Sequence, residues 1–158
     1  MNHKDYKDHN HLNHKDDEDH KEYRGHRGRF DGWALSPEHE RIVSEIIGSG
    51  LAVHRELGPG FIEHVYDRAI CVELRLRNLR FERQKPIDVT YRGEFLCCHQ
   101  LDLVVEHVIV VEVKAVKEIR PIHEGQILSY LKAGKYRAGL LMNFNVKMFV
   151  DGLHRFVR

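Results

Sequence analysis

Two runs, Leu101-Asp-Leu-Val-Val105 and Val108-Ile-Val-Val-Glu-Val-Lys114, are among the most apolar in the chain, yet three ionisable side chains interrupt them: Asp102, Glu112 and Lys114. Branched aliphatic residues at this density specify strands covered by other elements. Burying an ionised side chain is costly unless it is paired or bound to a metal. A fold that accepts this sequence must therefore bring the three charges to one another or to a ligand. Glu112 and Lys114 are two residues apart and share one face of their strand. If the two runs form a hairpin, Asp102 lies opposite Glu112 when Val105 pairs with Ile109 around the turn Glu106-His107-Val108. A two-residue turn would instead oppose Asp102 to Val111 and send the two acids to different faces.

The other elements follow from periodicity. Ser36-Pro37-Glu38-His39-Glu40 combines an N-cap serine, a proline in the first helical position and acids in the first turn. Ile42, Val43, Ile46, Ile47, Gly50, Val53, His54 and Leu57 recur at helical spacing until Gly58-Pro59-Gly60 stops the helix. A second helix, running to about Asn78, carries Ile62, Val65, Tyr66, Ala69, Ile70 and Leu74 on one stripe. The period changes to that of strands over Phe81 to Tyr91, Phe95 to Val105 and Val108 to Val113. Pro121 opens a third helix, Ile122 to Lys135, and Ala138 to Asn143 and Leu153 to Val157 read as a buried and an edge strand. The order α, α, β, β, β, α, β, β describes an α/β body: a mixed sheet flanked by helices, with an extra N-terminal helix.

Residues 1–35 differ. The stretch to His20 has almost no aliphatic content and cannot offset its ordering entropy, so a disordered, polar, His-rich arm is expected ahead of one domain at residues 36–158. A net charge of +1 excludes a histone-like protein held to DNA by bulk electrostatics. Nucleic acid must then meet a local patch, for which Lys117, Arg120, Lys132, Lys135 and Arg137 around the third helix are candidates. No apolar run approaches the ~18 residues of a membrane span, and the amino end lacks a secretory core, so a cytoplasmic location without membrane insertion is expected. Cys71, Cys97 and Cys98 form neither a disulfide framework nor a zinc signature and are expected to be small buried residues in a reducing compartment. Walker-type phosphate loops, nucleophile elbows and dinucleotide fingerprints are absent.

Convergent carboxylates supply the hard oxygen ligands of Mg²⁺ or Mn²⁺. A neighbouring ammonium can orient water and stabilise developing negative charge, a combination suited to phosphodiester hydrolysis. A buried Asp–Lys or Glu–Lys ion pair would use the same residues without chemistry. Asp102, nine intervening residues and Glu112-Val113-Lys114 resemble the core signature of the PD-(D/E)XK nuclease superfamily, whose αβββαβ core matches the order above from the second helix onward. Gly60-Phe-Ile-Glu63-His-Val-Tyr66 resembles the GxxExxY motif that names one family within it. Val53 to Gly60, Pro121 to Gln126 and Asn143-Phe-Asn145 extend the resemblance over about residues 38–158.

The resemblance implies a restriction-endonuclease-like fold and a metal-dependent nuclease that hydrolyses phosphodiester bonds, DNA before RNA. It implies that Asp102, Glu112 and Glu63 hold Mg²⁺ (or Mn²⁺) and that Lys114 activates water. Gln126 and Tyr130 share a helix face and resemble the QxxxY element of RecB-like nucleases, whose glutamine supports the active site and whose tyrosine contacts DNA. Glu63 stands where that branch often has histidine, and the cysteines of its iron–sulfur members are missing. His123, near the same face as Gln126, is a candidate for proton transfer, and Tyr66 and Tyr130 are candidate substrate contacts. The alternative is a catalytically silent nuclease-fold module that binds nucleic acid or a protein partner. A homo-oligomer is compatible with either reading.

Overall fold

The computed structural model describes residues 34–158. The arm expected at residues 1–35 lies outside the described residues except for its last two. Of these Leu35 is already buried in the core, so packing begins one residue before the expected boundary. Helix α1 (Pro37–Leu57) starts as its sequence dictates: Ser36 Oγ accepts a hydrogen bond from the His39 amide at 3.2 Å, and Pro37 sits where no amide hydrogen is needed. Its chain turns out at Gly58, whose φ of 63° suits glycine. Tyr66 of helix α2 (Glu63–Leu76) then locks the connecting loop. Its hydroxyl donates to the Gly58 carbonyl at 2.7 Å and accepts from the Phe61 amide at 3.1 Å.

Strands β1 (Phe81–Tyr91), β2 (Glu94–Val105), β3 (Ile109–Lys114), β4 (Ala138–Asn143) and β5 (Leu153–Val157) form one sheet in the order β1-β2-β3-β4-β5. Helix α3 (Pro121–Gly134) connects β3 to β4, which run parallel, while the other neighbours are antiparallel. The element order is the expected one, with a 3₁₀ turn added at Phe149–Gly152. Val105 pairs with Ile109, the register that sets Asp102 across from Glu112.

Two clusters make the core. Ile46, Tyr66, Ile70, Leu103, Val111 and Phe144 belong to the one covered by α1 and α2, and Leu101, Val104, Val110, Tyr130 and Leu131 to the one under α3. Leu101 and Leu103 would share a face of a regular strand, so the pleat changes side between them, at Asp102. Opposite this point Gln84 takes a φ of 46°, a left-handed conformation between the regular pairs Arg83↔Leu103 and Lys85↔Leu101. Such local irregularities re-aim side chains.

Beyond it the β1–β2 ribbon outruns the sheet, since β3 pairs only with Leu103, Val104 and Val105. Residues 91–100 are all exposed. Cys97 and Cys98 lie there and are exposed, leaving Cys71 buried, which corrects the expectation of three buried thiols. No helix among the described residues is long and apolar enough to cross a membrane.

Two glycines should respond with opposite sign. A Cβ on Gly152 would lie 2.2 Å from the Asn143 carbonyl oxygen, a backbone atom, whereas one on Gly125 of α3 meets nothing within 4 Å. Gly152→Ala is expected to lose about 2 kcal/mol through overpacking. Gly125→Ala is expected to gain up to about 1 kcal/mol through helix propensity. Urea unfolding midpoints at unchanged slope measure both.

Candidate active site

The β2–β3 ladder stops at Leu103↔Val111, so the strands part at the level of Asp102 and Glu112. The Glu112 side chain is 3 % exposed, and Lys114 Nζ donates to its Oε1 at 2.9 Å. Gln126 Nε2 reaches the same oxygen at 3.3 Å and Tyr130 Oη at 2.7 Å, so the four-residue spacing on α3 makes Gln126 a bridge between acid and phenol. Glu112 Oε2 is buried and has no hydrogen-bond partner among the described residues.

Asp102 fills the opening between the strands. Its Oδ2 accepts from the Val113 backbone amide at 3.0 Å and its Oδ1 from Gln84 Nε2 at 3.3 Å. Glu63, the first residue of α2, shares with Asp102, Gln84 and Asp67 a crevice of about 130 Å³. The Ala115 amide supports its carboxylate.

Burial pushes the Glu112 carboxyl up to about 7; the Asp102 charge adds to the rise and the Lys114 ammonium opposes it. The Glu63 carboxyl is also raised, first by burial, with Lys114 opposing and Asp102 adding. Burial works against the Lys114 charge, but Glu112, Glu63 and Asp102 outweigh it and hold the proton more firmly than water would. Three carboxylates thus surround one ammonium, an excess of negative charge whenever all are ionised.

A divalent cation fits this donor set. The ligands are all oxygen, the charge is in excess, and one buried carboxylate oxygen lacks a partner. Among the described residues no three His, Cys, Asp or Glu side chains form a ready-made cage.

Two expected residues lie elsewhere in function. Tyr66 is fully buried, stacked on Phe144 with ring centroids 4.6 Å apart, and its hydroxyl is committed to the Gly58–Phe61 loop. Expected as a substrate contact, it is engaged within the fold in this structure, where it fixes the start of α2 and with it Glu63. His123 Nδ1 accepts from the Arg120 amide at 3.1 Å, which makes it a cap of α3. It makes no hydrogen bond to Glu112, Lys114 or Asp102.

Asp67 and Gln84 escaped the sequence reading, and Asn143 entered it only within the resemblance, with no role. Asp67 pairs with Arg83 and keeps a buried, unpartnered Oδ1 one turn after Glu63; that i, i+4 spacing was its signal. Asn143 ends an otherwise apolar strand, a visible oddity. Its side chain accepts from the Val116 amide at 3.0 Å and donates to the Val116 carbonyl at 2.8 Å, pinning the chain that leaves Lys114. Gln84 had no signal, because a left-handed residue inside a strand leaves no mark on composition or period.

The family model of the PD-(D/E)XK nuclease superfamily matches residues 40–156, a span that includes Glu63, Asp102, Glu112, Lys114 and Gln126. No curated protein and no solved structure matches the chain. A match over most of the chain, on a mixed five-stranded sheet with helices on both sides, has one meaning: the chain belongs to the PD-(D/E)XK nuclease superfamily.

Proposed function

We propose that residues 36–158 form a divalent-cation-dependent nuclease that hydrolyses phosphodiester bonds, DNA before RNA, and that the chain falls in the GxxExxY family of its superfamily. The observation that carries this reading is the buried, unpartnered Oε2 of Glu112 inside a cluster with Asp102, Glu63 and Lys114. Asp102 and Glu112, with Glu63 beside them, would hold Mg²⁺ or Mn²⁺. When bound, such an ion supplies Lewis acidity to a phosphoryl oxygen and lowers the pKa of water.

The chain's own groups do the rest. Lys114 orients the attacking water and stabilises negative charge developing on the phosphate. Gln126 holds Glu112 Oε1 in place, and the Tyr130 hydroxyl in turn accepts from Gln126 and fixes its amide. Asp102 is set in advance by the Val113 amide and Gln84, so little reorganisation is needed. DNA is the substrate class supported by the superfamily resemblance. Free thiols, two of them exposed, suit a reducing cytoplasm.

Cleavage of plasmid and oligonucleotide DNA with Mg²⁺ or Mn²⁺ is the direct test. Lys114→Ala is expected to slow turnover by about 10²–10³-fold with circular dichroism unchanged. Calorimetric Mn²⁺ titration accompanies it: neither cleavage nor ion binding would identify the silent module instead.

Glu112 also sets a pH dependence. Its carboxyl titrates at about 7 in the folded chain against 4.5 ordinarily, so the folded state holds the proton more tightly and stability is lost as pH rises through that window. Without cation, the native chain should lose about 3 kcal/mol relative to Glu112→Gln across the window. Mg²⁺ should restore it in the native chain alone. Thermal melts at matched ionic strength read this out, and a pH-independent difference would contradict it.

Gln84 separates stability from activity. Gln84→Gly relieves a left-handed backbone and should stabilise by about 1 kcal/mol. It should also slow turnover by about tenfold or more, since Asp102 loses a donor. Gln84→Asn, which tolerates the conformation and keeps an amide, should fall between the two.

A further inference from the structure

A groove of about 450 Å³ runs between β1 and the C-terminal half of α3, away from the carboxylate cluster. Lys132 and Lys135 line it together with the hydroxyls of Thr90 and Ser129 and one acid, Asp88. Both lysines are exposed, and neither has a carboxylate partner among the described residues. Unpaired ammonium groups beside neutral hydroxyl donors are the set that recognises phosphate oxygens.

The groove and the catalytic cluster share one helix. Lys132 lies about 9 Å beyond Gln126 along the α3 axis, at 1.5 Å per residue. Tyr130, bonded to Gln126, follows Ser129 directly in sequence, and its ring centroid stands 5.7 Å from that of His99 on β2. This aromatic pair ties α3 to the β2 ribbon at a point between Gln126 and Lys132.

We propose that this groove binds the sugar–phosphate backbone of a nucleic-acid strand, with Lys132 and Lys135 on phosphates to one side of the one cleaved. The assignment rests on the nuclease reading and adds the path of the substrate to it. Asp88 faces the same backbone and weakens the contact, so the groove contains substitutions of opposite effect.

Fluorescence anisotropy with a short labelled single-stranded DNA, without added divalent cation, tests the path on the full chain. The double variant Lys132→Gln/Lys135→Asn suits the measurement because Lys135 has a φ of 57°, which asparagine tolerates. It should weaken binding and reduce the slope of log affinity against log salt by about 1.4, at about 0.7 per phosphate contact. Asp88→Asn should tighten binding, and both should leave melting temperature and Mn²⁺ titration unchanged. Binding by the native chain with the same slope in the double variant overturns the groove and leaves the nuclease reading standing. Absence of any DNA binding by the native chain overturns the groove as well, while the nuclease reading stands or falls by the cleavage assay with Mg²⁺ or Mn²⁺.

Discussion

Glu112 is an acid in a strand whose apolar members, Ile109 to Val111 and Val113, are completely buried. Its desolvation is only partly offset by Lys114 at 2.9 Å, because the carboxyl still titrates at about 7. Near neutral pH the site is thus balanced between a protonated acid and an ion pair. Asp102 and Glu63 push further toward protonation, and an added positive charge would reverse the balance. The arrangement answers to a charge that the described residues do not supply.

The surrounding fold works to hold that imbalance. Asp102 can approach only because β2 and β3 part after Leu103↔Val111, and the pleat change at Asp102 faces the left-handed Gln84. On the other side Tyr66 fastens the Gly58–Phe61 loop and stacks on Phe144, whose amide donates to the Lys114 carbonyl at 2.8 Å. Asn143 binds both polar groups of Val116. One connected frame therefore sets the start of α2, which carries Glu63, and the end of β3, which carries Lys114. The tyrosine of the GxxExxY-like motif belongs to this frame.

Much of this was legible in the sequence, and the reason is periodicity. Strands such as Ala138–Asn143 and Leu153–Val157 coincide with their expected limits because burial on a sheet leaves a simple apolar pattern. Two turn lengths left two hairpin registers, only one of which lets the buried acids converge, and the structure has that one. Side-chain destinations were less legible. Tyr66 and His123 sit at spacings compatible with the site, but hydrogen bonds to a loop and to a helix start decide their roles. The exposed Cys97 and Cys98 were misread because alternation cannot show that β3 is too short to cover the ribbon.

Stability alone does not explain the cluster. Replacing a buried ionic group by well-packed apolar residues of similar volume is often neutral or stabilising. Here the irregularities gather in one place: a strained Gln84, an unpartnered Asp67 Oδ1 and an unpartnered Glu112 Oε2. Each weakens the fold locally, and the two apolar clusters on either side of the sheet are what tolerate it. A module that only bound a partner through its surface would need none of the three. A site that gathers acids around a buried ammonium, at the mouth of parted strands and on the same helix as a basic groove, gains from all of them. On the proposed reading the excess charge would draw a cation, and the groove along α3 would give the phosphate its path.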